Sequence, residues 1–221
     1  MNYLLLDTSN KPMSLAVMQD DNVLVEHTTN LKRNHSIQLM PAIQSILQEA
    51  GIDKRALDAI VAAKGPGSYT GLRIGVTMAK TLAYALQTKL YGVSSLEALA
   101  ATLPDLQPGL LIVPVMDARR EAVYTGVYCY RNGQLETVLE DQYMTIEDLN
   151  TYLIESQKDF IFTGNDLEKI KPLLDGKLVE TLPQASKMID LIHEPENIHT
   201  FHPDYLKLSE AERNWLNNQK S

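Results

Sequence analysis

Residues 3–9 read YLLLDTS, and this stretch sets the fold because it predicts a buried strand that ends in a turn of small polar residues. Two more strands are predicted after it, at residues 13–19 and 23–28, separated by an Asp-Asp-Asn turn. The chain therefore opens with a three-stranded meander. The elements predicted next are a helix at 37–50 closed by Gly51, a strand at 59–64, a helix at 71–87, a strand at 89–93 and a helix capped by Ser94 and Glu97.

The same order begins again at residues 110–117, which read LLIVPVMD. The elements predicted after it are strands at 122–130 and 135–143, a helix from Thr145 to Gln157, a strand at 160–163 and a short helix beyond Gly164-Asn165-Asp166. Each half thus reads β-β-β-α-β-α, with Asp7 or Asp117 closing its first strand. A meander followed by alternating helices and strands predicts a mixed sheet with helices on both faces. We therefore predict an α/β, actin/Hsp70-like (ASKHA) fold with two tandem lobes, residues 1–103 and 109–221.

The composition of the chain limits the classes of function that it can have. The 221-residue chain carries a formal net charge of −8, and its basic residues form only short clusters such as Lys32-Arg33 and Arg119-Arg120. A protein that holds nucleic acid unaided usually presents a basic surface, so we expect other subunits to supply it if RNA is involved. Cys129 is the only cysteine, which excludes an intrachain disulfide. The N-terminus lacks the pattern of a signal peptide and the chain lacks an apolar membrane span, so we expect a cytoplasmic protein.

The segment from Lys64 to Arg73 joins a predicted strand to a predicted helix and contains three glycines and a proline. Its backbone N–H groups could face an anion at the helix N-terminus, although the Gly-Lys-Ser/Thr ending of a Walker A loop is missing. The alternative is a tight turn that needs glycine dihedral angles, and composition alone favours this structural interpretation. The residues of this signature loop are Gly65, Pro66, Gly67, Ser68, Thr70, Gly71 and Arg73.

The turns after the first strand of each half occupy the places where ATPases of this architecture hold the nucleotide phosphates. The first turn contains Asp7, Thr8 and Ser9, and the second contains Asp117, Arg119 and Arg120. Arginines can pair with phosphate, but the second turn has no glycine to let the backbone approach it. Classical ATP hydrolysis is therefore disfavoured, and a role for Asp117 in fixing the turn or the lobes is as plausible.

The helix predicted at 71–87 is apolar on more than one face. Its polar residues form a narrow stripe, whereas Gly71, Gly75, Ala79 and Ala83 form a smooth row at i, i+4 spacing. One face should cover the sheet, and the other could meet the second lobe or a partner protein. The sequence leaves both alternatives open.

Metal and nucleophile motifs are weak. His199 and His202 are three residues apart, but Pro195 and Pro203 flank them, which disfavours a helical metal site. There is no His-Glu-x-x-His motif and no Gly-x-Ser-x-Gly nucleophile elbow. We therefore expect no catalytic residue and no metal ligand on this chain.

Several blocks resemble the TsaB (YeaZ) family, bacterial subunits of tRNA threonylcarbamoyladenosine (t6A) biosynthesis. The most specific are residues 65–73 (GPGSYTGLR) and 114–121 (PVMDARRE), and weaker matches are 6–9, His35-Ser36 and 203–207. The resemblance implies a two-lobed fold and a complex with the catalytic paralogue TsaD and the ATPase TsaE. That complex transfers a threonylcarbamoyl group to N6 of adenosine 37 in tRNAs that read codons beginning with A.

TsaD carries a metal-binding His-x-x-x-His just after the fifth strand, and here Ser95 and Leu99 stand at those positions. Leucine cannot ligate a metal and a serine hydroxyl is a poor ligand, so the resemblance implies a non-catalytic subunit. ATP and metal are then expected on the partner subunits, with tRNA reached indirectly through the complex.

The family's dimer contact is made by the two helices of the first lobe, which implies heterodimerisation with TsaD and homodimerisation of the isolated chain. The expected contact residues are Ser36, Leu39, Met40, Ile43, Gly75, Met78, Ala79, Leu82 and Ala83. The rival interpretations are an ASKHA-type phosphotransferase or ATPase and a glycoprotease-like metallopeptidase. The segment 210–221 could pack back on the first lobe or fray.

Overall fold

The computed structural model describes residues 1–29 and 35–207, which form two five-stranded mixed sheets with helices on their faces. In this described part of the chain, none of the helices has the length and apolar character needed to span a bilayer. The expected role of residues 210–221 falls outside the described residues.

The first sheet has the strand order β3-β2-β1-β4-β5 and the second has the order β10-β9-β6-β7-β8. In each sheet the first strand is central, pairing antiparallel with the second strand and parallel with the fourth. The strands of the first sheet are β1 (Asn2–Asp7), β2 (Met13–Gln19), β3 (Asn22–Thr29), β4 (Ala59–Gly65) and β5 (Lys89–Ser94). Those of the second are β6 (Leu111–Asp117), β7 (Ala122–Arg131), β8 (Gln134–Thr145), β9 (Phe160–Gly164) and β10 (Leu178–Glu180).

Four α-helices connect these strands, and local residues fix their ends. They are α1 (His35–Glu49), α2 (Tyr69–Leu86), α3 (Ser95–Ala100) and α4 (Ile146–Glu155). The hydroxyls of Ser68, Ser94 and Thr145 accept backbone N–H groups at the starts of α2, α3 and α4. Gln87 closes α2 in a left-handed conformation, with φ 54°.

The duplicated α/β architecture predicted from the sequence is confirmed, because the two sheets share one topology. The prediction was wrong in one place, since the short helix expected after Asp166 is replaced by a 3₁₀ turn at Lys171–Leu173 and the three-residue strand β10. Pro172 interrupts that stretch, and a proline lacks the N–H needed to continue a helix.

The layers alternate as helix, sheet, helix, sheet, helix. Helices α1 and α2 cover the outer face of the first sheet, and α4 covers the outer face of the second. Helix α3 lies between the sheets, with Ala98 packed on the first and Leu96 and Leu99 packed on the second. The two lobes therefore share an apolar layer.

The segment after β10 returns to the first lobe. A 3₁₀ helix, Ala185–Leu191, packs Met188 and Leu191 against the inner face of the first sheet. Residues 192–207, here called the strap, then cross the first lobe, and Phe201 enters the core under α2. Residues 185–201 follow the second sheet in the chain but pack on the first lobe, whereas Lys207 reaches the carbonyl oxygen of Ala118 in the second.

Candidate functional site

The two turns that follow β1 and β6 have the same local geometry. Oδ1 of Asp7 accepts the backbone N–H of Ser9 at 2.7 Å, and Oδ1 of Asp117 accepts that of Arg119 at 2.7 Å. Each aspartate therefore closes its own turn, although Asp7 is buried and Asp117 is exposed. Burial raises the pKa of Asp7, and the hydrogen bonds from Ser9 oppose that shift.

The signature loop packs against the first turn and is hydrogen-bonded to it. The N–H of Ser68 donates to the carbonyl oxygen of Ser9 at 2.7 Å, and the hydroxyl of Thr8 donates to the carbonyl of Gly71 at 2.8 Å. A Cβ at Gly67 would overlap the Ser9 carbonyl oxygen, and a Cβ at Gly71 would overlap that of Thr8. Close approach of the backbone therefore explains these glycines. This favours the interpretation of the loop as a tight turn over that of an anion-binding loop.

The small-residue row of α2 faces the first sheet. A Cβ at Gly75 would overlap the hydroxyl of Thr8, and Ala79 and Ala83 are fully buried in the core beneath the helix. The row lets α2 lie close to the sheet and to the first turn. The opposite face of α2 is exposed.

A cleft of about 560 Å³ lies between the lobes and brings the signature loop and both turns together. Its walls carry Lys11, Asp117, Arg119, Asp166, Lys169 and Lys207, besides Ser9 and the start of α2. Lys11 pairs with Asp166, and Lys207 donates to the carbonyl oxygen of Ala118 at 3.0 Å. The cleft is polar and contains both charge signs.

The strap fixes the strand-to-loop junction from outside. Lys64 contacts the carboxylates of Glu196 at 3.0 Å and Asp204 at 3.5 Å, and these partners raise its pKa against the opposing effect of burial. The N–H of Asp204 donates to the carbonyl oxygen of Lys64 at 2.7 Å. Gly65, with φ 132°, has no room for a Cβ because the Asp204 carbonyl lies there.

The last residue of the signature loop, Arg73, also holds the strap. Its guanidinium carbon lies 4.2 Å from the ring centroid of Tyr69, and its Nε donates to the Tyr205 hydroxyl at 3.1 Å. The rings of Tyr69 and Tyr205 stack at 4.6 Å. Arg73 thus joins α2 to the strap.

The predicted contact residues on α1 and α2 divide into two groups. Leu39, Ile43, Gly75, Ala79 and Ala83 are buried within the chain's own lobe, so this part of the prediction is corrected. The four side chains among them pack in the core of the first lobe, Gly75 lies against Thr8, and none of the five offers a side chain to a partner. Ser36, Met40, Met78 and Leu82 are exposed or half-buried.

The outward face of these helices presents two large side chains that the sequence analysis did not select. Ile37 on α1 is 71% exposed, and Tyr84 on α2 is 67% exposed. An exposed isoleucine on a helix is unfavourable in water, and such residues mark contact surfaces when they cluster. We call Ile37, Met40, Met78, Leu82 and Tyr84 the outer helix face.

Ser95 and Leu99 are structural. The Ser95 hydroxyl is fully buried and accepts the N–H of Gly65 at 3.1 Å. Leu99 is 2% exposed and packs against the second sheet. Both side chains therefore make structural contacts at the junction between the lobes.

A buried polar network crosses the lobe boundary beside these residues. The carboxylate of Asp141 on β8 accepts hydrogen bonds from the hydroxyls of Ser94 and Tyr128. A Cβ at Gly126 would overlap this carboxylate, so a larger residue there would have to displace the side chain of Asp141. Burial is the main cause of the raised pKa of Asp141, which these hydrogen bonds oppose, and burial also raises the pKa of Glu97 nearby.

The sequence analysis missed this network and the lysines of the cleft. Ser94 and Asp141 are separated by 47 residues, and Lys64 and Glu196 by 132. No local spacing signals such pairs. Among residues 1–29 and 35–207, moreover, His, Cys, Asp and Glu form no group of three or more that could hold a metal ion.

Comparison with known proteins gives consistent matches. A protein-family model described as TsaD, tRNA N6-adenosine threonylcarbamoyltransferase, matches residues 22–215. The tRNA threonylcarbamoyladenosine biosynthesis protein TsaB of Bacillus subtilis is 42% identical over 231 residues, covering 100% of both chains.

Two solved structures from Pseudomonas aeruginosa have the same fold. One is a protein with similarity to peptidase YEAZ, with a TM-score of 0.81 and 27% identity. The other is YeaZ, with a TM-score of 0.79 and 25% identity. Each match covers 93% of this chain and 99% of the other.

Proposed function

Because the chain belongs to the TsaB (YeaZ) family of tRNA threonylcarbamoyladenosine biosynthesis proteins, we propose that it is a non-catalytic subunit of the t6A-forming complex. In this proposal it binds and orders a TsaD-type subunit in the cytoplasm. That partner transfers a threonylcarbamoyl group to N6 of adenosine 37 in tRNAs that read codons beginning with A.

The environment of Ser95 and Leu99 carries the proposal. By the family resemblance these residues stand where the catalytic paralogue has its histidine ligands, and in this chain both are buried in structural contacts at the lobe junction. Leucine has no lone pair to offer a metal, and the Ser95 hydroxyl already accepts the Gly65 N–H. This chain's own residues therefore supply packing at that position rather than ligands.

The signature loop supports the same proposal. Two N–H groups of the loop and helix start, those of Ser68 and Gly71, are used within the first lobe. Gly67 and Gly71 allow close approach to Ser9 and Thr8, and Gly65 allows close approach to Asp204, so no phosphate is needed to explain these glycines. ATP and metal belong to the partner subunits in this proposal.

The outer helix face is the proposed partner surface. It carries the most exposed isoleucine of the described residues, Ile37, together with Tyr84, on two helices whose inner faces are anchored to the sheet. Two helices that are packed on a sheet and carry outward apolar side chains are suited to a helical partner surface. We propose that the TsaD-type subunit binds there, and that a second copy binds there when the chain is alone.

The proposal is tested by measuring t6A formation on unmodified tRNA. The reaction contains the cognate TsaD-type and TsaE-type subunits with threonylcarbamoyl-adenylate, with and without this chain. Product that requires the chain, together with a chain that forms none alone, supports the proposal. Equal product without the chain would remove it, and turnover of ATP by the pure chain would favour the phosphotransferase alternative.

The surface is tested separately with Ile37→Glu and Tyr84→Glu. Each places a charge on the outer helix face, and we expect loss of the homodimer and of TsaD-type binding in analytical ultracentrifugation, with circular dichroism unchanged. Gln48→Glu, at another exposed position of α1, is the matched control. Retained dimers in both variants would exclude this face. Ala79→Arg is unsuitable because Ala79 is fully buried in the lobe's own core.

A further inference from the structure

The structure gathers basic residues that are far apart in the sequence. Arg119 and Arg120 lie on the β6–β7 turn, and Lys169 follows β9. Lys169 and Arg119 line both the interlobe cleft and the adjoining depression, and Arg120 extends this surface outward. We call Arg119, Arg120 and Lys169 the basic face.

The local charge has the opposite sign to that of the whole chain. The cleft, the depression and the further pocket that Arg120 lines contain five cations, Lys11, Arg119, Arg120, Lys169 and Lys207, and four acids, Asp117, Glu121, Glu147 and Asp166. The local surplus of one positive charge contrasts with the formal net charge of −8 for the chain. Such a local surplus attracts anions by concentrating the field in a cleft.

The nearby acids are partly engaged elsewhere. Asp166 pairs with Lys11, and Asp117 accepts the N–H of its own turn. Within residues 1–29 and 35–207, the side chains of the basic face take part in none of the ion pairs. Their positive charges are therefore not neutralised by an ion pair with another described residue.

The two arginines lie on a turn with an unusual backbone conformation. Arg119, Arg120 and Glu121 have φ values of 65°, 58° and 56°, a left-handed run that non-glycine residues seldom adopt. Hydrogen bonds from Ala118 N–H to the Ala122 carbonyl and from Ile146 N–H to the Glu121 carbonyl, both 2.9 Å, hold the turn. The strained turn exposes both arginines, and strain of this kind persists where the surrounding structure supports it.

We propose that the basic face binds the phosphate backbone of tRNA directly. Guanidinium groups pair well with phosphate oxygens, and the row from Lys169 to Arg120 spans more than one pocket, as a phosphodiester chain requires. The start of α2 opens on the same cleft and adds positive potential from its N–H groups. This inference rests on the proposed function, and it revises the expectation that tRNA is reached only through other subunits.

An acidic protein is the less favoured partner. Protein contacts usually centre on exposed apolar or aromatic side chains. The two pockets that Arg120 lines contain the exposed aliphatic side chains Leu173, at 42%, and Ile154, at 61%, but their lining residues include no aromatic ring, whereas the outer helix face carries Tyr84. The basic face therefore offers charge rather than an aromatic centre.

The test measures the affinity of the complete complex for an unmodified tRNA that reads a codon beginning with A, as a function of salt. The variant is Arg119→Gln/Arg120→Gln/Lys169→Gln, and the control is Lys54→Gln/Arg55→Gln/Lys187→Gln, which removes three exposed cations outside the cleft. We expect at least about a tenfold loss of affinity for the variant and little change for the control. The slope of log K against log salt should fall by roughly two units in the variant.

Equal affinity and equal salt slope for variant and control would overturn the inference. Loss of binding to a partner protein with unchanged tRNA binding would also overturn it, in favour of an acidic protein surface. Thermal unfolding checks that the triple variant is folded. If it is not, Arg120→Gln alone is measured instead, and we expect a smaller loss of tRNA affinity. If wild-type chain supports t6A formation while the variant binds tRNA normally, the proposed function stands and only this inference falls.

Discussion

At the scale of single residues, the glycines of the signature loop matter because neighbouring backbone occupies the space of their side chains. Gly67 and Gly71 face the carbonyl oxygens of Ser9 and Thr8. A carbonyl oxygen in a fixed turn cannot move aside as a flexible side chain can. Substitution should therefore cost stability even where the helix itself would prefer alanine.

We expect Gly71→Ala to lower the free energy of unfolding by about 1–3 kcal/mol, because overpacking against the Thr8 carbonyl outweighs the gain in helix propensity. Urea denaturation measures the change. Thr81→Ala, on the exposed side of the same helix, is the control and should leave stability equal or slightly higher. A stabilised Gly71→Ala protein would contradict the packing argument.

A pH dependence follows from the buried carboxyl of Asp141. Burial raises its folded-state pKa above the usual 3.8, so the folded protein binds the proton more tightly than the unfolded chain. Stability from this group is fully present below pH 3.8 and is lost as pH rises through the folded-state pKa. The groups that face it are Ser94, Tyr128, Glu140 and Asp204, besides Glu97.

We expect Asp141→Asn to reduce this pH dependence. The unfolding free energy of the wild type should fall relative to that of the variant between about pH 4 and neutral pH, as measured by urea denaturation at several pH values. Glu136→Gln, at an exposed site on the same strand, should run parallel to the wild type. A difference between Asp141→Asn and the wild type that does not change with pH would argue against a raised pKa.

At the scale of elements, the strap is the part of the chain whose position sequence patterns did not reveal. It has no regular secondary structure between Ile192 and Lys207, yet it orders the junction of β4 with the signature loop. Its anchor is Phe201, which is 5% exposed within the core of the first lobe. Lys80 adds a second attachment, donating to the carbonyl oxygens of His199 and Phe201 at 2.8 and 3.1 Å.

We expect Phe201→Ala to cost about 3–5 kcal/mol, since it removes a buried aromatic ring from the core. The strap should then open before the rest of the lobe, and hydrogen exchange of peptides covering residues 196–207 should accelerate. Leu206→Ala, at a position 36% exposed, should leave the exchange nearly unchanged. Protection that survives in Phe201→Ala would show that the ion pairs of Lys64 suffice to hold the strap.

At the scale of the whole molecule, the two lobes are coupled through one apolar layer. Helix α3 packs on both sheets, and the hydrogen bond from Ser94 to Asp141 crosses the boundary beside it. Lys207, at the end of the strap, donates to Ala118 of the second lobe. The arrangement opposes independent motion of the lobes.

We therefore expect a single cooperative unfolding transition. Scanning calorimetry should give equal calorimetric and van't Hoff enthalpies, because neither lobe can lose α3 without exposing the core of the other. Leu99→Ala should shift this one transition to lower temperature, while Ile154→Ala, at a site 61% exposed, should barely move it. Two resolved transitions in the wild type would contradict the coupling.

The fold could be predicted from sequence because its signals are local. Apolar runs, the capping residues Ser94 and Thr145, and the aspartates that end β1 and β6 lie within a few residues of what they determine. The repeated order of elements then leaves few ways to arrange them. The residue types at 95 and 99 were also informative, because leucine has no lone pair for a metal and a serine hydroxyl is a poor ligand, and the absence of a metal site there stays a prediction.

Only the tertiary structure showed which face of each element is buried and which is exposed. Because α2 is apolar on more than one face, its sequence did not show which residues would pack on the sheet, as Ala79 does, and which would face outward, as Tyr84 does. The strap, the network around Asp141 and the basic face join residues from distant segments, and their charges and packing depend on three-dimensional proximity. Sequence thus determined the elements and the family, while long-range contacts determined which side chains are buried and which lie together at the surface.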